Sequence, residues 1–271
     1  MTDPKLPLGR ETGYPNKYDP ELLFAIARAE SRAAYLSGTL PFLGEDVWNC
    51  WDLTWLQPDG LPVAATAELR VPADSPNLIE SKSLKLYLNS FAMSRFDSPD
   101  SVAERIGEEL SSRTGAAVAV RILAPDEHDS SQVSRLPGVC LDTLAIAVSH
   151  GQSDATLLEC KADDPVEEQL YSHLLRSLCP VTGQPDIGSI AIHYAGPRIV
   201  HESLLRYIVS LREHNDFHEA CVERIFVDLM ERCQAEKLSV YARYQRRGGI
   251  DINPFRSNWQ PTGGNPRLWR Q

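Results

Sequence analysis

The sequence has no run approaching the roughly 18 uninterrupted apolar residues that a transmembrane helix needs, so no membrane span is expected. It is short of positive charge: 27 Lys and Arg face 37 Asp and Glu, a net −10. That balance argues against a nucleic-acid partner, and an anionic ligand would have to rely on a local cluster of Lys and Arg. Cysteine is sparse and follows no pattern. Cys50, Cys140, Cys160, Cys179, Cys221 and Cys233 form no C-x-x-C. The polar start MTDPKLPLGRETGYPNKYDP reads as lacking a signal peptide, so reduced thiols and a cytoplasmic location are expected. No G-x-G-x-x-G follows a strand pattern, so a dinucleotide would have to bind outside a Rossmann fold. No Cys/His set has zinc spacing, since Thr182 stands three residues after Cys179; no metal is expected. What remains is an ordinary globular composition, 42% hydrophobic and 24% charged over 271 residues, enough for one large domain or two small ones.

A repeat runs through the chain at an offset of about 120 residues. LIESKSLKLYLNSF from Leu78 aligns with IVHESLLRYIVSLR from Ile199, each two residues after a proline (Pro76, Pro197). Leu84, Tyr87 and Leu88 answer Leu205, Ile208 and Val209 at helical spacing. Phe96 and Phe217 follow, then VAERIGEEL and VERIFVDL, then the strand-like runs AAVAVRIL and KLSVYARY. Upstream, Gln57-Pro58-Asp59 matches Gln184-Pro185-Asp186, each ahead of an apolar alternating run. The pattern predicts an α+β fold of two strand–helix–helix–strand modules, with antiparallel pairs and helices on one face. The boundaries read as an extension over 1–45, a first module over 46–124, a connection over 125–164, a second module over 165–254 and a surface-packed tail over 255–271. Residues 125–137 are the most linker-like. Ser98-Pro99 and Gly115 predict the ends of one helix. Two further helices are predicted, one over PELLFAIARAESRAA and one after Asp164-Pro165 with Val166, Leu170, Leu174 and Leu178 inward.

Three places carry chemistry. Cys179 precedes Pro180, which biases it toward extended backbone, and Asp186 lies seven residues on, beyond a Gly/Pro turn. A carboxylate does not lower a thiol pKa by charge, but it can take the thiol proton and pass it to a substrate atom. The alternative is that Cys179 is a small buried hydrophobe; Cys221 and Cys233, inside a helical pattern, read as core. Phe217, His218 and Glu219 stand at the mouth of a helix. Glu219 is either a helix-terminus carboxylate or a bidentate acceptor for the donor edge of a guanine-like ring, with Phe217 stacking on it. Finally, Glu80-Ser81-Lys82-Ser83-Leu84-Lys85 opens a helix with two lysines a turn apart. It is either a solvated face or a phosphate seat that Arg246-Arg247-Gly248-Gly249 would complete.

ESKSLKLYLNSF (Glu80–Phe91), CPVTGQPD (Cys179–Asp186), FHE (Phe217–Glu219) and RRGGIDINP (Arg246–Pro254) together resemble the NADPH-dependent 7-cyano-7-deazaguanine reductases, the QueF family, in its long bimodular type. The likeness covers almost the whole chain. It implies two tunnelling-fold (T-fold) modules, usually in a homodimer, and reduction of a deazapurine nitrile to a primary amine with two NADPH on the route to queuosine. It implies Cys179 as the nucleophile that forms a thioimide, Asp186 as proton donor, and His218 shielding that adduct or assisting proton transfer. Ile79, Glu80, Ser81, His218 and Glu219 are implied to hold substrate, and Ser81, Lys82, Arg247 and Gly248 to hold NADPH. The rival readings are a T-fold cyclohydrolase acting on GTP or a pterin, whose zinc ligands are missing, a Cys-dependent hydrolase, and a non-catalytic purine-binding module.

Overall fold

The computed structural model describes residues 13–127, 133–148 and 152–271. The chain forms two compact units: Met1–Glu30, Asp46–Gln132 and Arg246–Ile252 in unit 1, and Ser31–Glu45, Val133–Gln245 and Asn253–Gln271 in unit 2.

In unit 1 the long strand β2 (Leu43–Leu56, which enters the unit at Asp46) turns back into β3 (Pro62–Pro72), and β5 (Ala119–Leu123) pairs antiparallel on the far side of β3. Between them come α2 (Ser81–Asn89) and α3 (Pro99–Thr114). Strand alternation points Ala65, Ala67, Leu69 and Val71 to one face, where Leu84, Tyr87 and Leu88 of α2 and Val102, Ile106 and Leu110 of α3 meet them. Burying the valine, leucine and isoleucine side chains contributes about 1.5–3 kcal/mol each. Ser98 and Ser101 form a reciprocal capping box ahead of Pro99, and Gly115 closes α3 in the left-handed region at φ 76°.

Unit 2 repeats the plan. β7 (Cys160–Leu178) and β8 (Pro185–Ile199) form an antiparallel hairpin, followed by α4 (His201–Ser210), α5 (His218–Cys233) and β9 (Lys237–Tyr244). β9 pairs antiparallel with β8 and with the unit-2 part of β10 (Ile250–Ser257), while the two-residue β6 (Val139–Cys140) joins β7 in parallel. The inward faces of α4 and α5 carry Leu204, Leu205, Ile208, Val222, Ile225, Phe226 and Leu229, all at 2% exposure or less. Glu223 is buried on the other side of α5's first turns, where Arg256 and Arg32 both reach it and Tyr35 donates to it at 3.0 Å. Those donors are what make a buried carboxylate tolerable.

The repeat holds down to single backbone bonds. In unit 1, Leu56 donates to the Ser94 carbonyl and accepts from Phe96 N–H, a parallel bridge to Arg95. In unit 2, Leu178 donates to the His214 carbonyl and accepts from Asp216 N–H, a parallel bridge to Asn215. The next residues match too: Gln57 donates to Leu61 O as Cys179 donates to Gln184 O, both at 2.9 Å. The register read from sequence therefore slips. Gln57 is the counterpart of Cys179, and Gln184-Pro185-Asp186 corresponds to Leu61-Pro62-Val63 at the start of the return strand. Phe96 likewise answers Asp216, not Phe217.

Two expected helices are absent. Over residues 165–178 the chain is the strand β7, because spacings of four (Val166, Leu170, Leu174, Leu178) fit a period of two as well as a helical one. An irregularity between Lys161 and Pro165 accommodates the proline, and a second between Ser172 and Leu175 flips the phase, leaving Leu174 39% exposed while Leu170 and Leu175 are buried. The PELLFAIARAESRAA segment becomes a 3-10 turn (Pro20–Leu22), a short strand β1 (Ala25–Ala27) and a five-residue helix α1 (Arg28–Arg32). Here β1 pairs with β4 (Asn77–Ile79), a long-range partner that local propensity does not contain. The segment expected to pack as a tail begins inside β10, which is buried throughout to Ser257. Part of the linker-like stretch, residues 128–132, lies outside the described residues.

Candidate active site

The site in unit 2 is assembled by the Leu178 bridge. Leu178 ends β7, and its two bonds to the 214–216 segment bring the start of α5 beside the following residue, Cys179. Cys179 N–H donates to Gln184 O, and Gly183, in the left-handed region at φ 65°, donates back to Cys179 O, so the turn is closed on both sides. Across the hairpin Asp186 is paired with Ser177, which shares a strand face with Cys179 two residues on. The seven-residue spacing thus returns a carboxylate to the side of the sheet that carries the thiol. Cys179 is 8% exposed and Asp186 3%.

α5 starts at His218, and its N-cap, Phe217, is extended (φ −66°, ψ 155°) and makes no side-chain cap bond. The helix thus starts without a bond from its N-cap side chain, at the position where backbone N–H groups and the helix dipole favour negative charge. His218 Nε2 lies 3.7 Å from Asp186 Oδ1, and Glu219, one residue on, is 3% exposed. Behind His218 the Tyr244 ring packs edge-on at 4.1 Å between centroids. Tyr244 had no sequence signal as a site residue: in KLSVYARY it reads only as a core position of a strand. Cys221, by contrast, is fully buried, and burial pushes its thiol up to about 12.

The site in unit 1 is a cavity of about 280 Å³ lined by Lys82, Lys85, Asp52, Asn89, Gly248 and Gly249 among others. Gly248 and Gly249 form a two-residue turn, with φ of 58° and 79°, between Arg247 and Ile250, which exchange backbone bonds. Two successive left-handed residues are what a tight hairpin turn requires. Gly249 has a second reason: a Cβ there would fall 2.3 Å from Asp52 Oδ2. The turn lays Gly248 against the Lys85 stem, 3.3 Å from where a Cβ would stand. Lys82 and Gly248 are thus brought together as expected, whereas Ser81 and Arg247 do not line the cavity and Arg246 lies over the Trp51 ring.

Glu80 caps α2, accepting from Lys82 N–H and Ser83 N–H at 2.7 Å each. It is fully buried, and burial pushes its carboxyl up against the lowering effect of those two bonds and of the Lys85 and Lys82 charges. Ile79, beside it at the end of β4, is 3% exposed. Among the described residues no group of three His, Cys, Asp or Glu side chains is placed to hold a metal, and no helix is long and apolar enough to cross a membrane.

Residues 14–122 match the family described as nitrile reductase, 7-cyano-7-deazaguanine-reductase N-term, and residues 185–262 match that described as QueF-like protein. The NADPH-dependent 7-cyano-7-deazaguanine reductase of Burkholderia multivorans (strain ATCC 17616 / 249) is 51% identical over 268 residues, 98% of each chain. The protein of the same name from Paraburkholderia xenovorans (strain LB400) is 51% identical over 274 residues, the full length of both. A solved archaeosine synthase QueF-Like in the apo form covers 38% of this chain at 16% identity and a TM-score of 0.30. With relatives half identical from end to end, the chain belongs to the family of NADPH-dependent 7-cyano-7-deazaguanine reductases.

Proposed function

We propose that this protein reduces the nitrile of 7-cyano-7-deazaguanine to the aminomethyl group with two equivalents of NADPH, through a thioimide on Cys179. The observation that most supports the reading is the placement of Asp186 and His218, 3.7 Å apart, around the turn that holds Cys179. The Cys179 sulfur adds to the nitrile carbon and the thiol proton is delivered to the nitrile nitrogen through Asp186, giving a thioimide. A hydride at carbon and a proton at nitrogen give the tetrahedral thio adduct. The C–S bond then breaks, sulfur recovers its proton and an imine is left. A second hydride and proton complete the amine. NADPH, when bound, supplies the two hydrides.

The chain's own residues do the rest. A free thiol is a few per cent ionised at neutral pH, so making it fully thiolate is worth at most about 2 kcal/mol, and orientation by the closed turn must contribute more. His218, over the same carboxylate, shields the thioimide from water or relays the second proton. Glu219 accepts the donor edge of the deazaguanine ring, with Phe217 on its face. The two lysines in a 280 Å³ cavity beside a glycine turn fit a phosphate-bearing portion of NADPH, with Lys82 and Gly248 holding it and Ser81 and Arg247 flanking. Under this reading the modules are tandem T-folds, the protein works as a cytoplasmic homodimer, and the amine feeds queuosine synthesis.

The decisive experiment is intact-protein mass spectrometry with 7-cyano-7-deazaguanine and no NADPH. The expected result is a gain of one full substrate mass, mapping to Cys179 and absent in Cys179→Ala, which also consumes no NADPH. An adduct on another cysteine, or none, overturns the mechanism.

A further inference from the structure

The side chain of Gln271 uses its whole hydrogen-bonding capacity inside unit 2. Its Nε2 donates to Tyr244 O at 3.1 Å and to Asn253 Oδ1 at 2.8 Å. Its Oε1 accepts from Arg243 Nε and from Leu268 N–H, both at 3.1 Å. A primary amide has two donors and two acceptor sites, so all four are satisfied. The same Asn253 oxygen also accepts from Tyr244 N–H at 3.2 Å, which closes a ring of bonds around the Tyr244 peptide. Next to it, Arg270 donates to Gly188 O at 2.9 Å, on the strand that starts with Pro185 and Asp186.

The clamped residue is the one behind His218. The Tyr244 ring is wholly buried, and its edge-on contact with His218 has ring planes at 87°. The ring also lies near Gly188, where a Cβ would come within 3.1 Å of Tyr244 Cδ1. The ring is thus enclosed on the inside of the unit, and its backbone is held by Gln271 and Asn253.

We infer that Gln271 is a positioning residue of the reductase: by fixing Tyr244 it sets the His218 ring against Asp186. The inference rests on the assignment of His218 and Asp186 to the reaction made above. Gln271→Glu separates positioning from docking. A carboxylate still accepts from Arg243 and Leu268, so the segment stays in place, but it cannot donate to Tyr244 O or Asn253 and instead opposes them with an oxygen.

The expected result is a kcat about tenfold lower with KM for NADPH unchanged and an unfolding temperature within a degree or two of wild type. Tyr244→Leu should lower kcat similarly, and the double variant should be no slower than the worse single one, since both act through the same ring. A kcat for Gln271→Glu within twofold of wild type overturns the inference, as do losses that multiply in the double variant. Should Tyr244→Leu fail to fold, Gln271→Glu alone decides. If wild type forms no thioimide, the assignment beneath the inference falls. If wild type forms it and the variants behave as wild type, only the inference falls.

Discussion

The two modules share a backbone and differ in how they spend it. Each has a hairpin, two helices and a strand, and each pins the inter-helix segment to the first hairpin strand with the same pair of bonds around one leucine, Leu56 or Leu178. Yet both helices of unit 1 begin with a side-chain cap, Glu80 for α2 and Ser98 for α3, while in unit 2 neither Val200 before α4 nor Phe217 before α5 makes one. A missing cap costs about 1 kcal/mol. At α5 it leaves Phe217, His218 and Glu219 where unit 1 has Ser98, Pro99 and Asp100. Likewise Cys179 and Asp186 stand where unit 1 has Gln57 and Val63. Under the proposed function, the reactive groups sit where the copy without them is locally more regular, the pattern expected when local stability is given up at a functional site.

The sharpest way to test the contrast is thiol reactivity. At pH 8 a thiol held at about 12, as Cys221 is, is ionised about one part in ten thousand. Burial also raises Cys50 in unit 1. Iodoacetamide should therefore label Cys179 in the folded protein, blocked by substrate, and leave Cys50 and Cys221 unlabelled; equal labelling of the three would break the distinction. Because Cys221 is raised above its unfolded value near 9, its neutral thiol favours the folded state at neutral pH, and that contribution is lost as pH climbs from 9 toward 12.

Glu219→Leu should weaken the substrate about a hundredfold in the concentration needed for adduct formation, the loss of a buried charge-assisted contact of nearly 3 kcal/mol. Unchanged affinity removes Glu219 from recognition. Lys82→Ala in unit 1 should raise KM for NADPH about tenfold, close to 1.4 kcal/mol, and leave that for the nitrile alone; the reverse order would exchange the roles of the two sites. The smallest effect is Ser98→Ala, which should cost about 1 kcal/mol in denaturant unfolding with kinetics unchanged. A kinetic loss there would mean that the capped helix of unit 1 is not merely structural.

Much of this was legible beforehand where the signal is local. Ser98-Pro99 and Gly115 bound α3, and KLSVYARY is β9 residue for residue, because caps, left-handed glycines and apolar alternation act within a few positions. The repeat was visible because two copies of one fold keep the same inward positions. It was visible only approximately: Gln-Pro-Asp recurs in both copies, but in one it forms the turn and in the other it opens the return strand. β1 and β7 read as helix for different reasons: the partner of β1, β4, is supplied by a distant segment, while the apolar spacing of four in β7 fits a strand as well as a helix.

The sequence by itself determined which candidates for chemistry the chain offers, a cysteine before proline, a carboxylate seven residues on, a His-Glu pair at a helix start, two lysines a turn apart, because residue type and spacing set side-chain chemistry and local conformation. Tertiary structure decided which of them meet. The Leu178 bridge carries the start of α5 to Cys179, the hairpin register returns Asp186 to within 3.7 Å of His218, and the Gly248-Gly249 turn lies against the Lys85 stem. Tyr244 and Gln271 belong wholly to that second category. Nothing in a strand tyrosine or a glutamine near the end of a tail marks either one, and only the folded backbone brings their hydrogen bonds together behind the histidine.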